Sequence, residues 1–319
     1  MPRLETLAFA DEHLEAAAAL LAERHRRHRA AEPLLPPAYE DAAAALGALE
    51  ELWRAEGASG AVATRGGELV AFVVGVPKDD ATWGPNVWVE NAGHAASEPE
   101  ALRDAYGYAA ARWVDEARVR HYALVPATDA ALVDAWFRLS FGAQHAYGIR
   151  EVPADAAWPA GVRRARPADG DALVELTPLL TDHQDASPVF ARVSRNEDDA
   201  ELRREILDDL GNPRIGDLVA ERDGRIVGSF QNVPVELSSV HSALARPERA
   251  ALLAWAATRA DVRGSGAGIA LTDATLAWAR EQGYETLVTD WRETNLLSSR
   301  FWPRRGFRRT FLRLYRHVP

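Results

Sequence analysis

The chain has 319 residues, 47% hydrophobic and 26% charged, enough for two cores at about 150 residues per domain. A formal net charge of −10 argues against general attraction to nucleic acid or anionic lipid, and the lack of cysteine excludes disulfides, thiolate metal sites and cysteine nucleophiles. No window reaches the about 20 apolar residues of a membrane span, and "MPRLETLAFADEH" carries acids where a signal peptide would be apolar, so a cytoplasmic protein is expected.

In chain order, "LETLAFA" reads as a strand, and "LEAAAALLAERHRRH" and "YEDAAAALGALEELWRAE" read as helices. His25 and His28 have an i, i+3 spacing that suits a metal, but the arginines between them disfavour a cation and no metal is expected. "GELVAFVVGVP" (67–77) reads as a turn and a strand ending at proline, and "NVWVENA" as a third strand. "AARWVDEARVRHYALV" (110–125) reads as a helix and a buried strand, and "DAWFRLSFGAQHAYGIRE" as a helix, a glycine turn and a closing strand. Pro and Ala in "VPADAAWPAG" then interrupt the pattern.

The same order recurs beyond that break. "VRRARPA", "DALVELTPLL" and "EDDAELRREILDDL" precede "GRIVGSFQNVP" (224–234), which resembles 67–77. "AALLAWAAT" comes next, then "TLAWAREQGYETLV" (275–288), which resembles 110–125, and "SRFWPRRGFRRTFLRLYR" closes the chain. Hairpins mixed with strand–helix–strand crossovers predict an α/β chain of the α+β type. Two domains are expected, 1–152 and 163–319, joined by a linker at 153–162, each a mixed, mostly antiparallel twisted sheet flanked by helices. Tryptophans such as Trp53, Trp83, Trp88, Trp136 and Trp255 are expected in the cores.

Between the strand "LLAWAAT" and the last long helix lies "VRGSGAG" (262–268). Glycines before a helix N-terminus let the backbone curl around an anion, because the first helical N–H groups have no partner within the helix. Glycines also serve a tight turn, and a Walker loop is excluded because no Lys-Ser/Thr comes after them. Arg263, Gly266 and Gly268 match in order and spacing the Gln/Arg-x-x-Gly-x-Gly/Ala signature of the GNAT superfamily of acyl-CoA-dependent N-acetyltransferases. "NLLSSRFWPRRGF", with Asn295, Gly306 and Phe307, resembles the downstream half of that family's pattern. The chain thus resembles a tandem GNAT, fully over about residues 163–319 and by element order before that.

The resemblance implies that acetyl-CoA, as acyl donor, lies where the fourth and fifth strands of the second half splay. Backbone groups of Ala256, Ala257 and Thr258 would pair with the pantetheine arm, and the amides of Gly264, Ser265, Gly266, Ala267 and Gly268 would take the pyrophosphate beside Arg263. An amide near Ala256 or Ala257 would serve the oxyanion, and Asn295 would help position the cofactor. The acceptor implied is an amine of a small molecule or peptide, with neither nucleic acid nor membrane as partner, in a monomer or homodimer. Mycothiol-synthase-like acetylation of an amino-sugar thiol precursor, or acyl-CoA binding without catalysis, are the alternatives.

Two departures from the family pattern stand out. Where many members place a tyrosine that protonates the thiolate, this chain has Trp302, whose indole is no acid near neutral pH, leaving Ser298 or a water. For the base, Asp290 at the end of the fifth strand of the second half, Glu293 after it, Glu236 on the third strand and His241 in the loop beyond are candidates against the alternative of solvated surface, Asp290 being favoured beside the splay. Aligning Trp113 with Trp278 sets Glu98, Ala101 and Arg103 against Arg263, Gly266 and Gly268, so the first half is expected to have lost acyl-CoA binding. The arginines at 300, 304, 305, 308, 309, 313 and 316 are expected on a solvated face, one or two reaching the CoA 3′-phosphate.

Overall fold

The computed structural model describes residues 2–80, 84–191 and 198–319, and Trp83 lies outside the described residues. The chain forms two compact units: Met1–Tyr147 with Ser242–Arg246 and Arg309–Pro319, and Gly148–His241 with Pro247–Arg308.

The first unit opens with β1 (Leu4–Ala8), α1 (Leu14–Ala31) and α2 (Ala42–Trp53). Asp41 starts α2 by accepting hydrogen bonds from the amides of Ala43 and Ala44. β2 (Ser59–Arg65) and β3 (Glu68–Asp80) join through Gly66–Gly67, both at positive φ, as a tight hairpin of right-twisted strands requires. β3 does not end at Pro77 as expected. Its pairing with β2 stops at Gly75, and beyond it β3 keeps one partner, where proline is tolerated.

That partner is β4 (Gly84–Val89), and the short β5 (His94–Ala96) turns back onto β3. α3 (Pro99–Asp115) crosses over to β6 (Arg120–Pro126), parallel to β4, and α4 (Ala130–Phe137) leads into β7 (Gly142–Glu151). The core gathers Trp113, Trp136 and Tyr106 over Val73, Val87 and Phe141. Of the other tryptophans expected in cores, Trp53, Trp88 and Trp255 are half-buried, since each large ring keeps an edge at the surface. The Trp113 ring occupies the space above Gly75, where an added Cβ would sit 2.5 Å from it, and its Nε1 donates to Ser59 Oγ at 2.8 Å.

The second unit repeats the order: β8 (Val162–Arg164), α5 (Gly170–Leu176), α6 (Pro178–Asp185), α7 (Asp199–Gly211), β9 (Gly216–Arg222) and β10 (Arg225–Pro234). The helix expected over "DALVELTPLL" is two helices, divided at Pro178, whose ring cannot supply the N–H that would continue α5. β11 (Ala250–Thr258), α8 (Ala267–Glu281), β12 (Thr286–Arg292) and α9 (Ser298–Arg304) come next, in the strand order β12-β11-β10-β9-β8. Only the β11–β12 pair of that order is parallel. α8 packs on β9 and β10, with Trp278 seated above Gly216 as Trp113 sits above Gly75. Residues 153–161 run along α8, where Trp158 Nε1 donates to Glu281.

The closing strand, β13 (Arg308–His317), belongs from Arg309 onward to the first unit, where it lies antiparallel to β6 with Leu314 opposite Ala123. Five of the first unit's histidines are buried: His25, His28, His94, His121 and His145. His25 and His28 sit in the core beside the buried Arg24, with His28 edge-on to Phe311.

Burial lowers His25 to about 4 and His28 and His94 to about 3, while in the unfolded chain they titrate near the ordinary value of about 6.5. The unfolded state therefore binds more protons between these limits. Their contribution to stability is fully present above pH 6.5 and is lost, by on the order of 1 kcal/mol per pH unit for each histidine, as pH drops towards 4. Thermal melts from pH 7 to 4.5 are expected to show a falling Tm, with a shallower fall in His28→Leu. An equal slope in both proteins would contradict this.

Candidate functional site

β11 and β12 pair only over Ala250–Leu252 and Thr286–Val288. At the point of departure Thr289 Oγ1 donates to Leu253 O at 3.0 Å. Across β10 the register shifts between Gln231 and Asn232, which makes Ala254 the extra residue of a bulge. Past the bulge β11 remains paired to β10, and Arg259 N–H donates to Val227 O at 2.8 Å. Antiparallel ladders alternate, so Ala257 opposite Ser229 turns its N–H and C=O towards β10. Those of Ala256 and Thr258 therefore face the opening left by β12.

The chain then enters the glycine loop. Gly264 (φ +79°) and Gly266 (φ +91°) are left-handed, a conformation that L side chains rarely adopt. Gly266 is the N-cap of α8 and no described side chain caps the helix, so the amides of Ala267 and Gly268 begin it without an intrahelical acceptor. Ser265 Oγ is buried and has no hydrogen-bond partner among the described residues. Arg263 is exposed beside the loop, and Arg222, at the end of β9, donates to Ser265 O at 3.2 Å. A Cβ added at Gly268 would lie 3.5 Å from the Phe301 ring. The Ser265 amide, expected to face an anion, is instead donated to Val262 O at 3.1 Å, while the uncapped helix N-terminus and two guanidinium groups give this stretch the chemistry to hold an anion.

Arg222 escapes a reading of the loop alone, because the β9–β10 hairpin brings it in from far upstream. Its one signal in the sequence is a position just before the Asp223–Gly224 turn.

Beyond β12, Asn295 is buried and its Oδ1 accepts from the amides of Leu297 at 3.1 Å and Ser298 at 3.3 Å, starting α9. The same oxygen meets His183 Nε2, from α6, at 3.1 Å. His183 carries no signal in the sequence, where "TDHQD" is an ordinary polar helix end. Arg292, at the end of β12, reaches Gln184 Oε1 on the same helix at 3.4 Å. Together these bonds tie α6 to the end of β12 and the turn beyond it, and α6 also packs on β11.

Asp290 is half-buried in β12, and the Ser298 hydroxyl is directed at Asn295 O at 3.5 Å. Trp302 is 6% exposed among Phe230, Phe301 and Phe307, a packing role that fits its lack of acidity. Glu293 accepts from Trp291 Nε1 at 3.1 Å. Glu236 is not on the third strand but in the exposed turn Val235–Leu237 after it, because Pro234 ends β10. His241 is buried, with Nδ1 3.2 Å from Ser238 Oγ. On the sheet face under α7, burial and the neighbouring Asp209 push Asp217 up to about 6.

The arginine-rich tail is not one solvated face. Arg308 is paired bidentately with Glu151 in the second unit, whereas Arg313 is buried in the first, against His145 and over the Trp88 ring.

The equivalent place in the first unit is built otherwise. β4 and β6 pair over Asn86–Val89 and Arg120–Ala123, after which the chain turns through Gly93 to β5. Arg24, fully buried, donates to Asn91 O and His94 O, and His94 Nε2 lies 2.8 Å from Leu124 O. With Trp113 aligned to Trp278, α3 starts where the glycine loop would be and replaces it. Pro99 contributes no N–H there, Glu98 is held by Arg65 at 2.7–3.1 Å, and Glu100 adds negative charge to the first turn.

Residues 179–307 match the acetyltransferase (GNAT) family. Among solved structures, a GCN5-related N-acetyltransferase from Sphaerobacter thermophilus is similar at 13% identity and a TM-score of 0.56, covering 98% of this chain and 95% of that one. A GCN5-related glucosamine N-acetyltransferase region of a fungal multi-domain GH3 β-N-acetylglucosaminidase is similar at 16% identity and a TM-score of 0.54 over 99% of this chain, which spans 38% of that protein. No curated protein sequence matches the chain. No helix among the described residues is long and apolar enough to cross a membrane. Residues 179–307, which hold the parted strands, the glycine loop and the Asn295 cap, are a domain of the GNAT acetyltransferase family.

Proposed function

We propose that the second unit transfers an acetyl group from acetyl-CoA to an amine of a small molecule or peptide. The observation that carries this reading is the uncapped, left-handed glycine loop opening α8 beside the parted strands. The group to be held is a long thiol arm ending in a diphosphate, and the residues present fit it. Ala256 and Thr258 offer strand-like hydrogen bonds to the amides of the arm, with Ala257 holding the strand to β10. Gly264, Gly266, Ala267 and Gly268 offer amides and Ser265 its hydroxyl to the diphosphate, the Ser265 amide being already donated to Val262 O at 3.1 Å, and Arg222 and Arg263 offer charge.

Bound acetyl-CoA supplies a thioester carbonyl, an electrophile with a stable leaving group. An amide on the open edge of β11 stabilises the oxyanion as the amine adds. Asn295 acts here through position: its side chain fixes α9, whose Phe301 lines the loop. Ser298 stands at the start of that helix, and Asp290 at the β12 side of the opening, as the groups available to the leaving thiolate and to the amine. The first unit holds no acyl-CoA in this reading, because Glu98, Pro99 and Arg24 occupy what the ligand would need.

Two measurements test the assignment. Gly266→Glu is expected to weaken acetyl-CoA binding at least a hundredfold in calorimetry, through a disfavoured φ and a like charge at the diphosphate, with the fold intact by circular dichroism. Unchanged affinity would remove the cofactor assignment. Glu98→Ala is expected to leave that affinity unchanged. Across a panel of amines, release of free thiol from acetyl-CoA above the rate of hydrolysis is expected. Binding without release would favour a non-catalytic acyl-CoA binder.

A further inference from the structure

Backbone N–H groups can only donate, so the Asn295 atom that receives Leu297 and Ser298 must be the amide oxygen. His183 meets that same oxygen through Nε2. Nε2 therefore carries the hydrogen, and in the neutral ring the lone pair is on Nδ1. Nδ1 has no hydrogen-bond partner among the described residues. The ring is half-buried on α6, which packs on β11, and its anchor lies just beyond β12. It thus belongs to the side of the opening from which an amine would approach a thioester held between those strands.

We infer that His183, in place of Asp290 and Ser298, carries the proton of the transfer as its general base, and that Asn295 positions it by fixing its tautomer. The inference rests on the acetyl-transfer reading above. As the amine nitrogen forms its bond to the thioester carbon, His183 Nδ1 takes the proton that nitrogen must lose. Collapse of the tetrahedral adduct breaks the C–S bond, the electron pair leaves on sulfur, and the proton held by the imidazolium passes to the thiolate. The products are the amide and free CoA thiol, and the ring returns to its neutral form. A histidine acting in both directions also accounts for the loss of a tyrosine at Trp302.

The charged and titratable groups around it are Asp182 and Asp185 on α6, Glu175 on α5, paired with Arg259, Asp290 and Arg292 on β12, and Glu293 beyond it. β11 contributes none.

His183→Gln keeps an N–H donor for Asn295 and removes the base. Steady-state rates with the best amine of the panel, measured across pH for wild type and variant, and acetyl-CoA affinity for both, decide the matter. The variant is expected to bind acetyl-CoA within twofold of wild type, to lose about a hundredfold or more in kcat, and to lack the acid limb of the wild-type pH profile. His183→Ala is expected to regain part of its rate with added imidazole. A variant that keeps both rate and acid limb while wild type turns over would overturn the role of His183 alone. Wild type that binds acetyl-CoA and acetylates no amine would instead overturn the transfer reading, and this inference with it.

Discussion

Backbone polar groups need partners, and a buried one left alone costs about 1–3 kcal/mol. In the second unit the fold places two sets of such groups together: the outer edge of β11 past Leu253 and the uncapped start of α8. Neither set alone is unusual. A strand that has lost one neighbour and a helix that has no cap, joined by a loop of left-handed glycines, present an extended edge leading into a helix start with free amides. The chain keeps small residues along that route, Ala256, Thr258, Gly264, Ser265 and Gly266, so that access to the backbone is not blocked.

The first unit shows the same constraint met from inside. Its strands also part, after Val89 and Ala123, but Arg24 reaches in from α1 to the carbonyls of Asn91 and His94, and His94 bridges to Leu124. A buried guanidinium without a carboxylate is costly, and burial lowers its pKa to about 9. Its persistence is understandable because the carbonyls it satisfies would otherwise be stranded in a core. One architecture thus gives an open edge in one unit and a plugged one in the other, and the difference comes down to one arginine and three residues at the start of a helix.

Much of this is legible in the sequence. The glycine loop, the Asn295 turn, the paired tryptophans and the replacement of glycines by Glu98 and Pro99 are local features whose chemistry does not depend on distant contacts. The features that stay hidden depend on assembly. Arg222 reaches the loop only because a hairpin folds back, and His183 is recognisable only once α6 is tied to the end of β12 and the turn beyond it. Glu236 stands close enough to the "GSFQNVP" run to read as part of its strand, but Pro234 ends the ladder and hands the next residues to a turn. Arg313 looks solvated among its charged neighbours in sequence, whereas alternation along β13 turns it inward to His145.

β13 carries a consequence for biosynthesis. The strand that lies beside β6 in the first unit's sheet comes after the whole second unit in the chain, so the N-terminal unit cannot finish folding until the second unit has been made. A cut at residues 153–161 would give an N-terminal fragment with β6 left as an unpaired edge and a C-terminal one ending in a strand without its partner. The first unit therefore depends on residues that follow the second, although the two units share one element order.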